Sequence, residues 1–204
     1  MTDRFLDKAY TARDAASTRT LYDAWSKSYE AEVAENGYAT PGRCAAALKS
    51  FTSNMSAPVL DFGCGTGLSG LAMKLAGFEV IDGLDLSSEM LAQAESKGIY
   101  RKTRLVEAGA PLAHRPGDYA AIAAIGVIGA GAAPISVLHT LMKGLGKGGL
   151  LVLSFNDHAL ADPVNEAGLS EWTDCGGARL LFRKHGDHLP GINLKSNVYV
   201  LEKT

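Results

Sequence analysis

The sequence predicts an α/β protein in three layers: a seven-stranded, mostly parallel sheet covered by helices on both faces, with an antiparallel C-terminal hairpin and an N-terminal helical cap. Three observations carry this. From residue 59 onward, short apolar runs alternate with segments of helical period, the pattern of strand–helix–strand crossovers in a parallel sheet. The last two apolar runs follow each other with no helical pattern between them, so they read as antiparallel neighbours. Two helical segments precede the first strand.

Residues 1–30 read as helical; in RTLYDAWSKSYEAEVAENGY, Leu21, Trp25 and either Ser28 or Tyr29 share a face at helical spacing. Gly37 closes that pattern, and TPGRCAAALKSF starts a second helix with Pro41 in its first turn. Residues 1–55 are thus expected to cap a single domain spanning 1–204. VLDF, 59–62, is the first strand. GLSGLAMKLAGF is helical, with Leu68, Leu71 and Leu75 along its apolar side and Gly77 at its end. EVIDGLDLS is the second strand. SSEMLAQAESKG is a helix with Ser87 as N-cap, Glu89 in the first turn and Gly98 past its end. TRLVEA and YAAIAAIG are the third and fourth strands. PISVLHTLMKGL, 134–145, is a helix that stops at Gly146, and GLLVLSF is the fifth strand. ARLLFRKHGDHL and KSNVYVLEKT are the last two, with His185 and His188 flanking Gly186 in a turn between them.

Composition narrows the function. A chain of 204 residues supports one sizeable core, and 20 basic against 22 acidic residues leave a net charge of -2 with no basic tail or stripe, which argues against a duplex DNA binder. The three cysteines are scattered, without a disulfide framework or metal-ligand spacing. MTDRFLDKAYTARD is polar, with no secretory apolar stretch. Residues 119–138 lack charge over a length that would span a bilayer, but they are rich in alanine and glycine and broken by Pro134. They read as a buried strand, a small-residue loop and a helix start. A soluble cytoplasmic protein without membrane or metal is the expectation.

The stretch VLDFGCGTGLSG carries the chemistry. Gly63, Gly65 and Gly67 let the backbone turn sharply and approach a ligand, and the following helix offers free N–H groups to a negative group. A nicotinamide dinucleotide loop needs G-x-G-x-x-G, but Leu68 occupies the third glycine position and Asp61 would oppose a pyrophosphate. A ligand carrying both a carboxylate and a cation fits better. Asp85, ending the second strand, stands where an acid can accept from both hydroxyls of a ribose, and Glu107, ending the third, is placed to meet the base. The ligand reads as an adenosine-like nucleoside with an amino-acid tail and no phosphate.

VLDFGCGTG followed by GLDLSSEMLAQA resembles the first motif and second-strand region of the class I S-adenosylmethionine-dependent methyltransferases, over most of residues 20–204. YDAWSKSYEAEVAENGY looks like a small branch of that family, the one that includes a methyltransferase-like protein encoded in the Williams–Beuren syndrome region. The resemblance implies a Rossmann-like fold and S-adenosyl-L-methionine as cofactor. It implies that Asp61, Gly63, Gly65 and Gly67 hold the methionine part, Asp85 the ribose, and Glu107 with the backbone of Ala108 the adenine. Tyr29 is by the same likeness the cap residue that reaches the cofactor or substrate. Two departures stand out: Glu107 replaces the more usual aspartate, and IGVIGAGAAP after the fourth strand lacks the polar signature of amino and DNA methyltransferases.

Histidine is the readiest general base near neutral pH. His158 follows the fifth strand in SFNDHAL, where a ligand-facing loop is expected, and is the candidate for base or substrate contact. The expected acceptor is a small molecule methylated on oxygen, nitrogen or carbon, not a nucleic acid; the oligomeric state is open. Two other readings stand beside this one: a non-enzymatic S-adenosylmethionine-binding module and a nicotinamide-dependent oxidoreductase.

Overall fold

The computed structural model describes Phe5, residues 14–129 and residues 131–204. The chain runs α1 (Ala15–Glu35), α2 (Thr40–Lys49), β1 (Val59–Phe62), α3 (Leu68–Ala76), β2 (Ile81–Asp85), α4 (Ser88–Ser96) and β3 (Lys102–Leu105). It continues through β4 (Ala121–Ala124), α5 (Ser136–Gly144), β5 (Leu150–Asn156), α6 (Asp157–Leu160), α7 (Pro163–Asp174), β6 (Ala178–Leu189) and β7 (Leu194–Lys203). The helix expected over residues 1–13 lies outside the described residues except for Phe5, which is helical and stacks on Trp25 with ring centroids 6.3 Å apart.

The seven strands form one sheet in the order β3-β2-β1-β4-β5-β7-β6. β1 to β5 are parallel; β7 pairs antiparallel with β5, and β6 antiparallel with β7. The sheet is therefore the three-layer, mostly parallel, Rossmann-like arrangement with the expected C-terminal hairpin. After β3 the chain returns to the other side of β1, so the connections after β1 and β4 diverge and leave a crevice beyond the carboxyl ends of the strands.

Alternate residues of the strands feed two cores. On one face Leu60, Ile122, Leu151 and Leu153 pack with Leu138, Leu141 and Met142 of α5 and Leu169 of α7. On the other, Val59, Ile81, Ala123 and Val152 pack with Cys44 and Leu48 of α2 and Met73 of α3. α2 is thus part of a helical layer, whereas α1 lies against α4: Gln93 donates to the Ser26 carbonyl (2.7 Å), and Lys97 pairs with Glu30. Among the described residues no helix is long and apolar enough to cross a membrane; residues 119–138 are divided among β4, a loop and α5.

Three sequence expectations change. Leu71 and Leu75 are exposed, the latter by 80%; α3 buries Ser69, Gly70 and Met73 instead. The cause is Tyr100, whose hydroxyl crosses over Gly70 so closely that a Cβ there would lie 2.4 Å away. α6 and α7, absent from the sequence reading, fill the connection between β5 and β6. His185 and His188 sit within β6, not in a turn; the chain reverses at 190–193.

At the opposite end of β2 from the crevice, Asp82 is 2% exposed, which by itself disfavours its charge. Hydrogen bonds from Arg101 (2.9 and 2.6 Å) and Tyr119 (2.7 Å), with the charges of Arg101 and Lys102, outweigh that burial and hold its carboxyl below the usual range. Arg101→Ala removes two charge-assisted bonds and should lower stability by about 1–3 kcal/mol, read as a fall in thermal midpoint of roughly 2–4 °C per kcal/mol.

Candidate functional site

A cavity of about 1180 Å³ opens beyond the strands, with α1 over it. Its floor is the loop after β1, its sides the segments after β2, β3 and β4, and its far wall the residues leading into α5. Its size exceeds the roughly 300–1,000 Å³ of common small-ligand sites, leaving room for more than one ligand.

The three loop glycines all have positive φ, 72°, 53° and 97°, but serve differently. A Cβ on Gly63 would lie 2.5 Å from Val127, and one on Gly67 would press on Ile99 and Tyr100 at 3.2 and 3.3 Å. Gly63 is needed for packing against the β4 loop. Gly67 turns the chain into α3, whose first N–H groups no side chain caps, and does not line the cavity. A Cβ on Gly65 would meet nothing within 4 Å; Gly65 lines the cavity and offers it bare backbone.

Asp61 lies behind this wall. It is fully buried; Ser69, which lines the cavity, donates to its Oδ2 at 2.6 Å, and Tyr100 donates to the same oxygen at 2.7 Å. Oδ1 has no partner. Burial pushes the Asp61 carboxyl up to about 6 against those two hydrogen bonds, with the negative Asp85 adding to the rise. Asp85 lines the cavity and accepts from the N–H of Gly65 (2.8 Å) and of Ser87 (2.9 Å). Burial raises its pKa too, against those bonds, and Asp23 of α1 contributes to the rise. Ser87 caps α4 by accepting from the Met90 N–H and donates its own hydroxyl proton to Asp23. Three carboxylates thus surround the end of β2 with no lysine or arginine bonded to any of them in the described residues, a setting that favours a cationic ligand group.

Glu107 and Ala108 line the cavity beside Leu105 and Val106. The Glu107 carboxylate is exposed and accepts from Arg19 of α1 at 2.8 Å, a bridge across the mouth that the sequence reading did not foresee. Tyr22, Tyr29 and Tyr38 line the opposite half, with Val127, Gly129, Ala132, Ala133 and Pro134 from the β4 loop. Tyr29 packs edge-on to Trp25 at 4.8 Å. Asp61, Gly63, Gly65, Gly67, Asp85, Glu107 and Ala108 are therefore brought to one end, and Tyr29 faces the same cavity. His158 is not: it is exposed on α6 and lies outside the residues that line the cavity. The physical reason is the Asn156 cap, which accepts from the Ala159 N–H and coils the chain into α6 directly after β5. The sequence reading also missed Tyr100 and Arg19; neither sits in a recognisable pattern.

The site thus combines a switch-point crevice, a bare-backbone loop and acids at or near the ends of successive strands. The family described as "Methyltransferase domain" matches residues 37–195, and the chain belongs to it, as a class I S-adenosylmethionine-dependent methyltransferase. It is 31% identical over 136 residues to human methyltransferase-like protein 27; the match covers 65% of this chain and 56% of that protein, so it spans little more than half of the relative's length. The fold is similar to that of magnesium protoporphyrin IX methyltransferase from Synechocystis PCC 6803, solved with bound S-adenosylmethionine (TM-score 0.60, 16% identity, 98% of this chain and 90% of that one). It is similar also to the [4+2]-cyclase SpnF (0.69, 15%, 94% and 97%) and to the putative methyltransferase in a complex with the Haloferax volcanii activator Trm112 (0.70, 15%, 91% and 97%).

The raised Asp61 carboxyl makes a pH signature. An unfolded aspartate releases its proton near 3.8, the folded Asp61 near 6. Between those values the folded state holds more protons, so this group's contribution to stability falls as pH rises. Relative to Asp61→Asn, the ligand-free protein should lose about 2 kcal/mol between roughly pH 4 and pH 6, measured by urea unfolding of both at each pH.

Proposed function

We propose that the protein transfers a methyl group from S-adenosylmethionine to a small, largely uncharged acceptor held under α1. The single observation that carries this reading is the division of one cavity into a polar, acid-rich end at the β1 and β2 loops and an aromatic, small-residue end beneath α1. Two features of the polar end fit the cofactor. Among the described residues Asp61 keeps a buried oxygen without a partner next to the wall, and the space at Gly65 is open for an approaching ligand.

In this reading the backbone of Gly63 and Gly65 and the start of α3 receive the amino-acid part, with Asp61 favouring its ammonium group through Ser69. Asp85 receives the ribose hydroxyls, and the Leu105–Ala108 segment flanks the adenine. S-adenosylmethionine, when bound, supplies an electrophilic methyl on a sulfonium. The chain's own task is to bind, align and exclude water. Tyr22, Tyr29 and Tyr38 wall the acceptor side, and α1 shields it from solvent. The charged residues that line the cavity are Asp14, Asp85, Glu107 and Asp162 against Arg19 and Arg104. Arg19 is already paired with Glu107. This acidic balance opposes a phosphate backbone, whose binding depends on unpaired lysines and arginines, and supports a small-molecule acceptor. One methyltransferase unit with α1 as its lid accounts for every element.

Calorimetric titration tests the cofactor: one site for S-adenosylmethionine and S-adenosylhomocysteine is expected, and binding of a nicotinamide dinucleotide in their place would overturn the reading. Tritium transfer to panels of small molecules and of RNA tests the acceptor. Asp85→Ala should weaken S-adenosylhomocysteine by about ten- to a hundredfold, equivalent to roughly 1.5–3 kcal/mol, with the fold intact. Gly65→Ala should weaken it by about tenfold or more by filling the ligand's space, at a stability cost of about 1 kcal/mol from its positive φ. Gly63→Ala should instead mainly destabilise the protein, by roughly 2 kcal/mol or more through its clash with Val127.

A further inference from the structure

Beside the aromatic end of the large cavity lies a recess of about 60 Å³. Tyr22, Tyr29, Tyr38, Gly126, Gly129 and Ala132 line both spaces, so the two adjoin. The recess adds Trp25, Ser154, Asn156 and His188. His188 is 6% exposed, with its ring edge-on to Tyr38 at 5.2 Å.

A chain of hydrogen bonds fixes which nitrogen of His188 carries the proton. Arg43 can only donate, and its Nη1 gives a bond to the Ser196 Oγ at 2.9 Å. Ser196 is fully buried, and the remaining partner of its hydroxyl among the described residues is Thr40 Oγ1 at 3.0 Å. The Ser196 proton must therefore go to Thr40. Thr40, also fully buried, then sends its own proton to His188 Nδ1 at 2.8 Å. Nδ1 is an acceptor, and the neutral ring carries its hydrogen on Nε2. The ring is neutral because burial lowers its pKa to about 4, despite Asp157 of α6, which raises it; Arg43 of α2 and His158 of α6 lower it further.

Two further N–H donors line the recess, beside the hydroxyls of Ser154, Tyr22, Tyr29 and Tyr38, which can donate or accept. The indole N–H of Trp25 is buried without a partner among the described residues. The Asn156 side-chain oxygen is occupied by the Ala159 N–H at 2.9 Å, leaving its amide hydrogens. The Ser154 hydroxyl oxygen accepts from the Gly126 N–H at 2.9 Å. Among the described residues no lysine or arginine lines the recess. Neutral N–H donors without a cation suit a neutral oxygen that only accepts. An ammonium would bring only donors to these N–H groups, and a carboxylate would need a counter-charge.

We propose that this recess is a subsite that grips a carbonyl oxygen of the methyl acceptor, through the Nε2–H of His188 with the N–H groups of Trp25 and Asn156. It rests on the reading of the large cavity as the methyl-transfer site, and it narrows the acceptor to a ketone, ester or amide on an apolar or aromatic body. Thr40 and Ser196 are positioning residues that set the tautomer.

Two measurements test it on the full chain. Long-range nitrogen–proton NMR of ¹⁵N-histidine protein, with the signal assigned by its loss in His188→Leu, should show the neutral Nε2–H form from pH 8 down to about pH 5; the Nδ1–H form or a charged ring at neutral pH overturns the proposal. Protein saturated with S-adenosylhomocysteine is then titrated with acetophenone and with ethylbenzene, which lacks the oxygen. Acetophenone should bind about five- to tenfold tighter and move the indole N–H signal of Trp25, not that of Trp172, which is tied to His139 at 2.9 Å. His188→Leu should abolish that preference with S-adenosylhomocysteine affinity unchanged within twofold. Thr40→Val, which leaves the imidazole in place, should reduce the preference. Equal affinity for the two probes, or a Trp25 signal indifferent to acetophenone, overturns the subsite and leaves the cofactor reading standing; failure to bind S-adenosylhomocysteine overturns that reading instead.

Discussion

Everything at the site depends on β1 having two different parallel partners, β2 on one side and β4 on the other. The loop after β1 must turn sharply into α3, while the loop after β4 leaves in the opposite direction. The gap between them is space that main-chain connections cannot close. Gly63 lies where the two loops meet, against Val127, so the tight contact that permits the turn also fixes the separation of the cavity's two ends. The register of β1 then sets the rest. Asp61 pairs with Gly83 and Ala123 at the centre of the sheet, which removes its carboxylate from water and leaves it to the hydroxyls of Ser69 and Tyr100.

The electrostatic consequence is a division of labour. The polar end gathers Asp23, Asp61 and Asp85 and raises the last two by burial and mutual repulsion. Most cations of the neighbourhood are held elsewhere, Arg101 by Asp82, Arg43 by carbonyls of β6 and β7, Arg19 by Glu107, while Arg104 lines the cavity. A positively charged ligand relieves that repulsion, whereas a pyrophosphate would add to it. The aromatic end is built from small residues and tyrosine rings, so it discriminates by shape and by a few fixed donors.

The seven strands, their mostly parallel arrangement and most element boundaries were legible because strands buried on both faces are short apolar runs, punctuated here by glycine at Gly77, Gly98 and Gly146. The residues of the polar end were legible for a related reason: Asp61, Asp85 and Glu107 each follow directly from where a strand ends. α7 was not, since the side it buries presents Asn165 and Gly168 beside Leu169 and so makes no apolar stripe, although Asp162 before Pro163 is a sound start signal. The leucines of α3 misled because the face that packs is chosen by Tyr100, thirty residues away from Gly70 in the chain. His158 stood out by position after β5, yet the short α6 removes it from the cavity. His188, hidden in a long polar-looking strand, is buried only because Thr40 and Tyr38 from before β1 close over it. Contacts between distant segments leave no local pattern to read.

Lys97 joins what the description of the fold kept apart. Its single ammonium group bonds both Glu30 on the lid helix and the carbonyl of Thr66 in the glycine loop. Ser87 does likewise, capping α4 while holding Asp23 of the lid. Roof and floor are therefore joined at two points near the glycine loop and α4, and at the mouth by the exposed Arg19–Glu107 bridge alone.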